Sequence, residues 1–306
     1  MTTEKSRMSG RDTLLKMKKN WRMYALMSPY LVLFLLFTVL PVLFAIGLSF
    51  TYFNGLNAPD FIGWENYRRL FMSDELFLTA VKNTFIFALI TGPVSYLGCF
   101  VFAWIVNELG PKTRSLLTVL FYAPSISGNV YLIWTIIFSA DSYGIVNSWL
   151  MTLGVISEPI SWLKDPRYVL AIVIVVQLWL SLGTSFLSFI GGLQTMDNAL
   201  YEAGAIDGIR NRWQELWYIT LPMMRPFLLF GAVMQITQSF AVSDVAEALA
   251  GFPSVDYAAH TIVTHMKDHG NIRFELGYAC AIATLLFLVM IGSNKLVQRL
   301  LSGLGK

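Results

Sequence analysis

The sequence predicts an all-α polytopic membrane protein with six transmembrane helices, and three observations carry that prediction. Hydrophobic residues make up 56% of the 306 residues and charged residues only 13%, against about 25% charged in soluble domains. So few charges cannot cover a water-facing surface, and a bilayer removes the need to. Six stretches free of Asp, Glu, Lys and Arg (23–59, 83–107, 115–140, 168–196, 226–243 and 276–294) have or approach the ~20 residues that cross ~30 Å of hydrocarbon. Lysine and arginine are also unevenly distributed between alternate connections, as the orientation of membrane helices requires.

The first stretch is trimmed to about 27–50, because Asn54-Gly55-Leu56-Asn57 reads as a turn. It is long for the apolar region of a signal peptide and no small-residue cleavage site follows it, so it is expected to be retained. The remaining spans are expected at about 83–107, 115–139, 168–192, 226–247 and 276–296. They give a basic tail over 1–25 and a membrane domain over 26–306. With the tail inside, fifteen Lys and Arg fall in inner segments and seven in outer ones, which places both termini in the cytoplasm. Lys16–Arg22 suits a juxtamembrane anchor to anionic lipid, or simply a solvated topology signal. Pro41, Pro93 and Pro124 lie inside spans, where each removes a backbone donor and favours a kink.

The inner connection at 197–225 is the most patterned part of the chain. Asp197 is placed to cap a short helix, and Gly208 permits the left-handed backbone that ends it. A second helix is expected from near Asn211 to Leu221, with Trp213, Leu216, Trp217 and Thr220 on one largely apolar face. Pro222 and Pro226 are expected to interrupt the pattern before span five. That face can be buried in a groove on a partner, or against the chain's own spans and the lipid interface.

This connection resembles the EAA loop of permease subunits from bacterial ATP-binding-cassette importers: Glu-Ala-Ala, three residues, Gly, nine residues, Ile, one residue, Leu-Pro. The chain offers Glu202-Ala203-Gly204, Asp207-Gly208 and Ile219-Thr220-Leu221-Pro222. It departs in having Gly204 for the second alanine and ten residues between Gly208 and Ile219. Gly63-Trp64-Glu65-Asn66-Tyr67, Leu193-Gln194 leading to Leu200-Tyr201-Glu202, and Gly277-Tyr278-Ala279 are similar to other parts of the carbohydrate-uptake branch. The resemblance implies a type I importer-like bundle in the bacterial cell membrane that translocates a sugar or oligosaccharide. The implied partners are a second permease subunit, an extracytoplasmic solute-binding protein and a cytoplasmic ATPase dimer that carries ATP and magnesium. Glu202, Ala203, Gly204, Asp207, Gly208, Trp213, Trp217, Ile219, Leu221 and Pro222 would form the coupling loop gripped by that ATPase.

Within the spans, Gln177, Trp179, Ser181 and Ser185, with Gln235, Gln238 and Asp244, are candidate lining of a sugar path. The competing role is hydrogen bonding between helices. Thr184, Ser239 and Glu247 extend the same polar pattern. No Gly-x-x-x-x-Gly-Lys-Ser/Thr phosphate loop occurs in the sequence, so this chain is expected to be a transport subunit without enzymatic activity or cofactor of its own. His260, His265 and His269 fall in the last outer connection near Asp256 and Asp268; they are expected to form a polar surface, with no metal assigned. Cys99 and Cys280 lie in apolar runs and read as small fillers. A self-contained secondary transporter is the alternative reading. It is disfavoured by spans almost free of charge at their centres. A membrane-embedded enzyme would need a catalytic constellation that the sequence lacks.

Overall fold

The computed structural model describes residues 19–302; the basic positions up to Lys18 and the segment Gly303–Lys306 lie outside the described residues. The first long helix, α1 (Trp21–Leu48), is entirely unburied along its apolar window, so its side chains face outward, as lipid or a partner surface allows. A π turn at Leu35–Val39, closed by Leu40 N–H donating to the Leu35 carbonyl, lies just before Pro41. The wider register relieves the clash of a proline ring with the preceding turn.

The chain then forms a short antiparallel pair, β1 (Thr51–Tyr52) and β2 (Asp60–Phe61). Asn54 Oδ1 accepts from the amides of Leu56 and Asn57 in the intervening turn. The short helix α2 (Glu65–Met72) is stapled to the end of α1 by Asn66. This buried amide donates to the carbonyls of Ser49 and Thr51 at 2.8 and 2.9 Å, and Tyr67 and Ser49 share a hydroxyl bond of 2.7 Å. The residues of the Gly-Trp-Glu-Asn-Tyr stretch thus fix where the first span ends.

Next, α3 (Glu75–Asn107) is capped by Asp74, which accepts from the Phe77 amide. At 1.5 Å per residue its 33 residues extend about 50 Å, well beyond the hydrocarbon. The helix therefore starts eight residues before the expected span at 83, because a charge-free window finds the apolar part of a helix and not its capped end.

The expected third span, 115–139, is not one straight helix. The chain bends by 85° between α4 (Pro111–Ile126) and α5 (Val130–Ile137). Pro124 withholds a donor there. The hydroxyls of Ser125 and Ser127 donate to the carbonyls of Tyr122 and Ala123 at 2.8 Å each, competing with the helix for its last acceptors. The connection that follows carries α6 (Ile145–Thr152), organised by buried Asn147, whose amide bonds Ser139, Asp141, Ile160 and Trp162. The fourth span is α7 (Val169–Leu180) and α8 (Thr184–Gln194).

After the hairpin at 197–225, described below, come α11 (Leu221–Phe240), α12 (Asp244–Ala250), α13 (Ile262–Lys267) with a following π turn at Asp268–Ile272, and α14 (Leu276–Ser302). Helices α3, α8 and α11 pack around Cys99, Phe100, Phe186, Phe189, Met224 and Leu228. Helices α3, α11, α13 and α14 close around Phe77, Phe240, Ile262, Tyr278 and Ile282. Glycine lets α8 and α11 touch: a Cβ at Gly231 would come within 2.4 Å of the Phe189 ring. This is the small-residue packing of membrane helices.

Candidate functional site

The hairpin at 197–225 runs through α9 (Asn198–Ile206), a turn, and α10 (Arg212–Glu215). Asp197 caps α9 by accepting from the Ala199 amide at 3.0 Å. Gly208 has φ +96°. The Ile209 amide donates to the Gly204 carbonyl and the Gly208 amide to that of Ala205, the paired bonds of a Schellman stop. Gly204 is buried, and a Cβ there would lie 2.6 Å from Ile219 Cδ1 and 3.1 Å from Ile209 Cδ1. The glycine in place of the second alanine therefore gives room for both isoleucines. The additional residue before Ile219 is accommodated in the turn at 209–211. There Asn211 Oδ1 accepts from the Gln214 amide and Gln214 Oε1 from the Arg210 amide.

The expected interruption at Pro222 and Pro226 does not occur. α10 continues through a π turn at Leu216–Thr220 directly into α11, with Pro222 in the first turn of that helix and Pro226 inside it. The Leu221 amide donates to the Leu216 carbonyl, so the wider turn before the proline takes up the strain, as it does before Pro41. The hairpin is consequently continuous with the fifth span. The apolar face expected on Trp213, Leu216, Trp217 and Thr220 divides in two. Leu216 and Thr220 are buried against the chain's own helices, whereas Trp213 and Trp217 remain 71% and 64% exposed. Ile206 and Tyr218 are exposed as well.

Three contacts hold this surface to the bundle. Arg212 bridges Glu108 at the C-terminal end of α3 (2.9 Å) and Glu215 (2.7 Å). Tyr201 and Thr220 share a hydroxyl bond of 3.0 Å. Trp213 packs on Trp104 at 5.5 Å between centroids. Glu202, Ala203, Asp207, Gly208 and Pro222 are exposed, while Ile219 and Leu221 are half-buried. The result is an apolar, aromatic platform on a rigid support.

The polar residues singled out in the spans divide differently. Ser185 Oγ reaches the Gly231 carbonyl and Gln235 Oε1, both at 3.2 Å, and so ties α8 to α11. Ser181 Oγ donates to the Leu178 carbonyl. Trp179 packs edge-on against Trp134 at 5.5 Å. Asp244 is paired with Lys267 at 2.9 Å, and the same ammonium lies 3.0 Å from Glu247. Gln177 and Gln238 are half-buried. Gln235 also borders a cavity of about 530 Å³ between α3, α11 and α14, together with Gly92, Tyr96, Ser239 and Ser293. Of these, Gly92, Tyr96 and Ser293 carried no signal in the sequence, since a lone small or aromatic residue in a span is ordinary packing.

The histidines differ from expectation more sharply. His260, His265 and His269 are buried, at 3%, 1% and 2% exposure, and do not form a surface. His265 Nε2 lies 3.0 Å from Asp74 Oδ2, His260 Nε2 is 3.1 Å from His265 Nδ1, and His269 Nδ1 is 2.6 Å from Glu275. Tyr278 donates to Asp74 at 2.6 Å, and Arg69 forms a two-pronged bond with Glu275 at 3.0 and 3.1 Å. Burial pushes the His260 imidazole down to about 4 and lowers that of His269. Sequence reading missed Arg69, Asp74, Glu275 and Tyr278 as members of this cluster, because Asp74 lies 191 and 204 residues from His265 and Tyr278, and Arg69 lies 206 from Glu275.

Residues 100–302 match the family described as binding-protein-dependent transport system inner membrane component. The probable ABC transporter permease protein YesP of Bacillus subtilis is 32% identical over 92% of this chain and 90% of its own length. The lactose transport system permease protein LacF of Rhizobium radiobacter is 30% identical over 67% and 68%. The fold is shared with the crystal structure of a bacterial ABC transporter that imports the acidic polysaccharide alginate, with a TM-score of 0.72 and 23% identity over 96% of this chain and 99% of that one. A family match over most of the chain and a relative aligned nearly end to end lead to one conclusion: this chain belongs to the family of inner membrane components of binding-protein-dependent transport systems, as a multi-pass permease of the ABC importer type.

Proposed function

We propose that the permease carries a sugar or short oligosaccharide inward. An external binding protein delivers the solute, and a separate ATPase dimer holding ATP and magnesium drives the cycle. A second permease subunit completes the pathway. Both termini and the 197–225 hairpin lie on the cytoplasmic side. The observation that carries this reading is that Trp213, Trp217 and Tyr218 are exposed although the helix bearing them is fastened to the spans. An amphipathic surface of this kind suits a partner groove. Because it continues into α11 through the π turn, movement of the partner would be transmitted directly to the fifth span. A lever joined to one span can bias a bundle between two arrangements.

The sugar class is supported by relatives whose names specify lactose, arabinooligosaccharides and sulfoquinovosyl glycerol. Cells with and without this subunit, offered labelled mono- and oligosaccharides, should differ in the uptake of at least one. Equal uptake of every sugar would refute the substrate class. Cysteines placed at Glu202 and Trp217 should react with an impermeant thiol reagent only from the inner side; labelling from outside would refute the coupling role separately.

A further inference from the structure

We propose that Asp74, His265 and His269 form a binding site for a zinc-class divalent transition metal on the outer side of the permease. One donor atom from each residue lies within 4.8 Å of the other two. Asp74 Oδ2 is 3.0 Å from His265 Nε2 and 3.9 Å from His269 Nε2, distances on either side of the ~3.3 Å edge of a tetrahedron with zinc–nitrogen and zinc–oxygen bonds near 2.0–2.1 Å. Two imidazoles and one carboxylate select zinc, cobalt or nickel over magnesium and calcium, which favour all-oxygen sites.

The surrounding groups are those that orient metal ligands. The far nitrogen of His269 is bonded to the Glu275 carboxylate and that of His265 to His260, leaving the Nε2 atoms of both rings toward Asp74. Such outer partners fix the tautomer and ring orientation of a ligating histidine. His265 lies in α13 and His269 in the π turn that follows it, so the wider turn sets the second ring relative to the first.

A solvent-open cavity of about 320 Å³ borders the three residues and provides both an entry route and space for a water as fourth ligand. Arg69 and Arg273 also line it, but each is paired with a carboxylate, Glu275 at 3.0 Å and Asp268 at 2.7 Å. With Asp74 the local carboxylates outnumber the guanidinium groups, and the neutral rings add no charge. A bound dication would join the start of α3 to α13 and, through Glu275 and Tyr278, to α14.

The test uses the full chain, purified without a polyhistidine tag together with its co-purifying subunits, stripped with a chelator and titrated with zinc chloride alone. One zinc per chain should bind at micromolar free metal, raise the thermal midpoint reversibly, and be replaceable by cobalt with the visible absorption of a tetrahedral site. His269→Gln, which retains a donor toward Glu275, should abolish stoichiometric binding. Glu275→Gln should weaken binding roughly 10–100-fold. Substoichiometric zinc in the unaltered protein would overturn the proposal whatever the variants do. So would binding that survives both His265→Ala and His269→Gln, since the metal would then sit elsewhere.

Discussion

Gly208→Pro is expected to insert in the membrane at normal levels and to lose nearly all solute uptake. At φ +96° the native backbone lies far from the value near −65° that proline imposes, and the substitution also removes the Gly208 amide that donates to the Ala205 carbonyl. The Schellman stop that joins α9 to the turn would open, and with it the fixed angle between the exposed end of α9 and the Trp213–Trp217 platform. A cost of about 3 kcal/mol corresponds to roughly a 100-fold fall in the population of the native hairpin. The spans themselves are untouched, because Gly208 lies before the continuous helix that begins at Arg212.

Gly208→Ala separates geometry from bulk. A Cβ at this position meets nothing within 4 Å, so the alanine variant bears only the left-handed strain of about 1–2 kcal/mol. Uptake should therefore rank native, alanine, proline, while the amount of inserted chain stays level across the three. Measurement in membrane vesicles, with insertion checked by labelling, gives both readouts. Full uptake by the proline variant would show that the hairpin angle does not matter for transport.

Much of this architecture was legible in the sequence because its causes are local. The charge-free stretches reported where apolar helix lies, Asp197 and Gly208 announced a cap and a stop, and the second helix was expected from near Asn211, which the structure shows capping it. Direction was harder to read. The 85° bend after α4 depends on Ser125 and Ser127 taking helix carbonyls beside Pro124, and a hydropathy window sees only continuous low polarity there. At Pro222 the error ran the other way: a proline read as a break is carried through by a π turn. The apolar face of the hairpin showed its period but not its division, because burial of Leu216 and Thr220 depends on which neighbours the bundle brings to them. The histidine cluster was hidden for the same reason. Its carboxylate partners, Asp74 and Glu275, cap or precede helices that meet only in the folded chain.

Gly277→Ala is expected to destabilise the permease although it replaces glycine by the best helix former. Gly277 lies in the first turn of α14, and its amide donates to the Phe53 carbonyl at 3.1 Å. A Cβ added there would fall 2.1 Å from the Thr51 carbonyl oxygen and 3.1 Å from the Phe53 nitrogen. Those atoms are backbone at the end of the strand that follows α1, so no side-chain rotation can relieve the overlap. Helix propensity favours the alanine by about 1 kcal/mol, whereas overpacking a close contact costs about 1–3 kcal/mol or more. With the obstacle in the backbone, the second effect wins. Strand β1 must lift from α14, which pulls on the Asn66 staple holding α2 to the end of α1. Gly292→Ala supplies the control within the same helix, since a Cβ there meets nothing within 4 Å. The thermal midpoint of the purified chain should fall for Gly277→Ala and hold or rise for Gly292→Ala. Equal stability of the two variants would mean that β1 does not rest on α14 in the membrane.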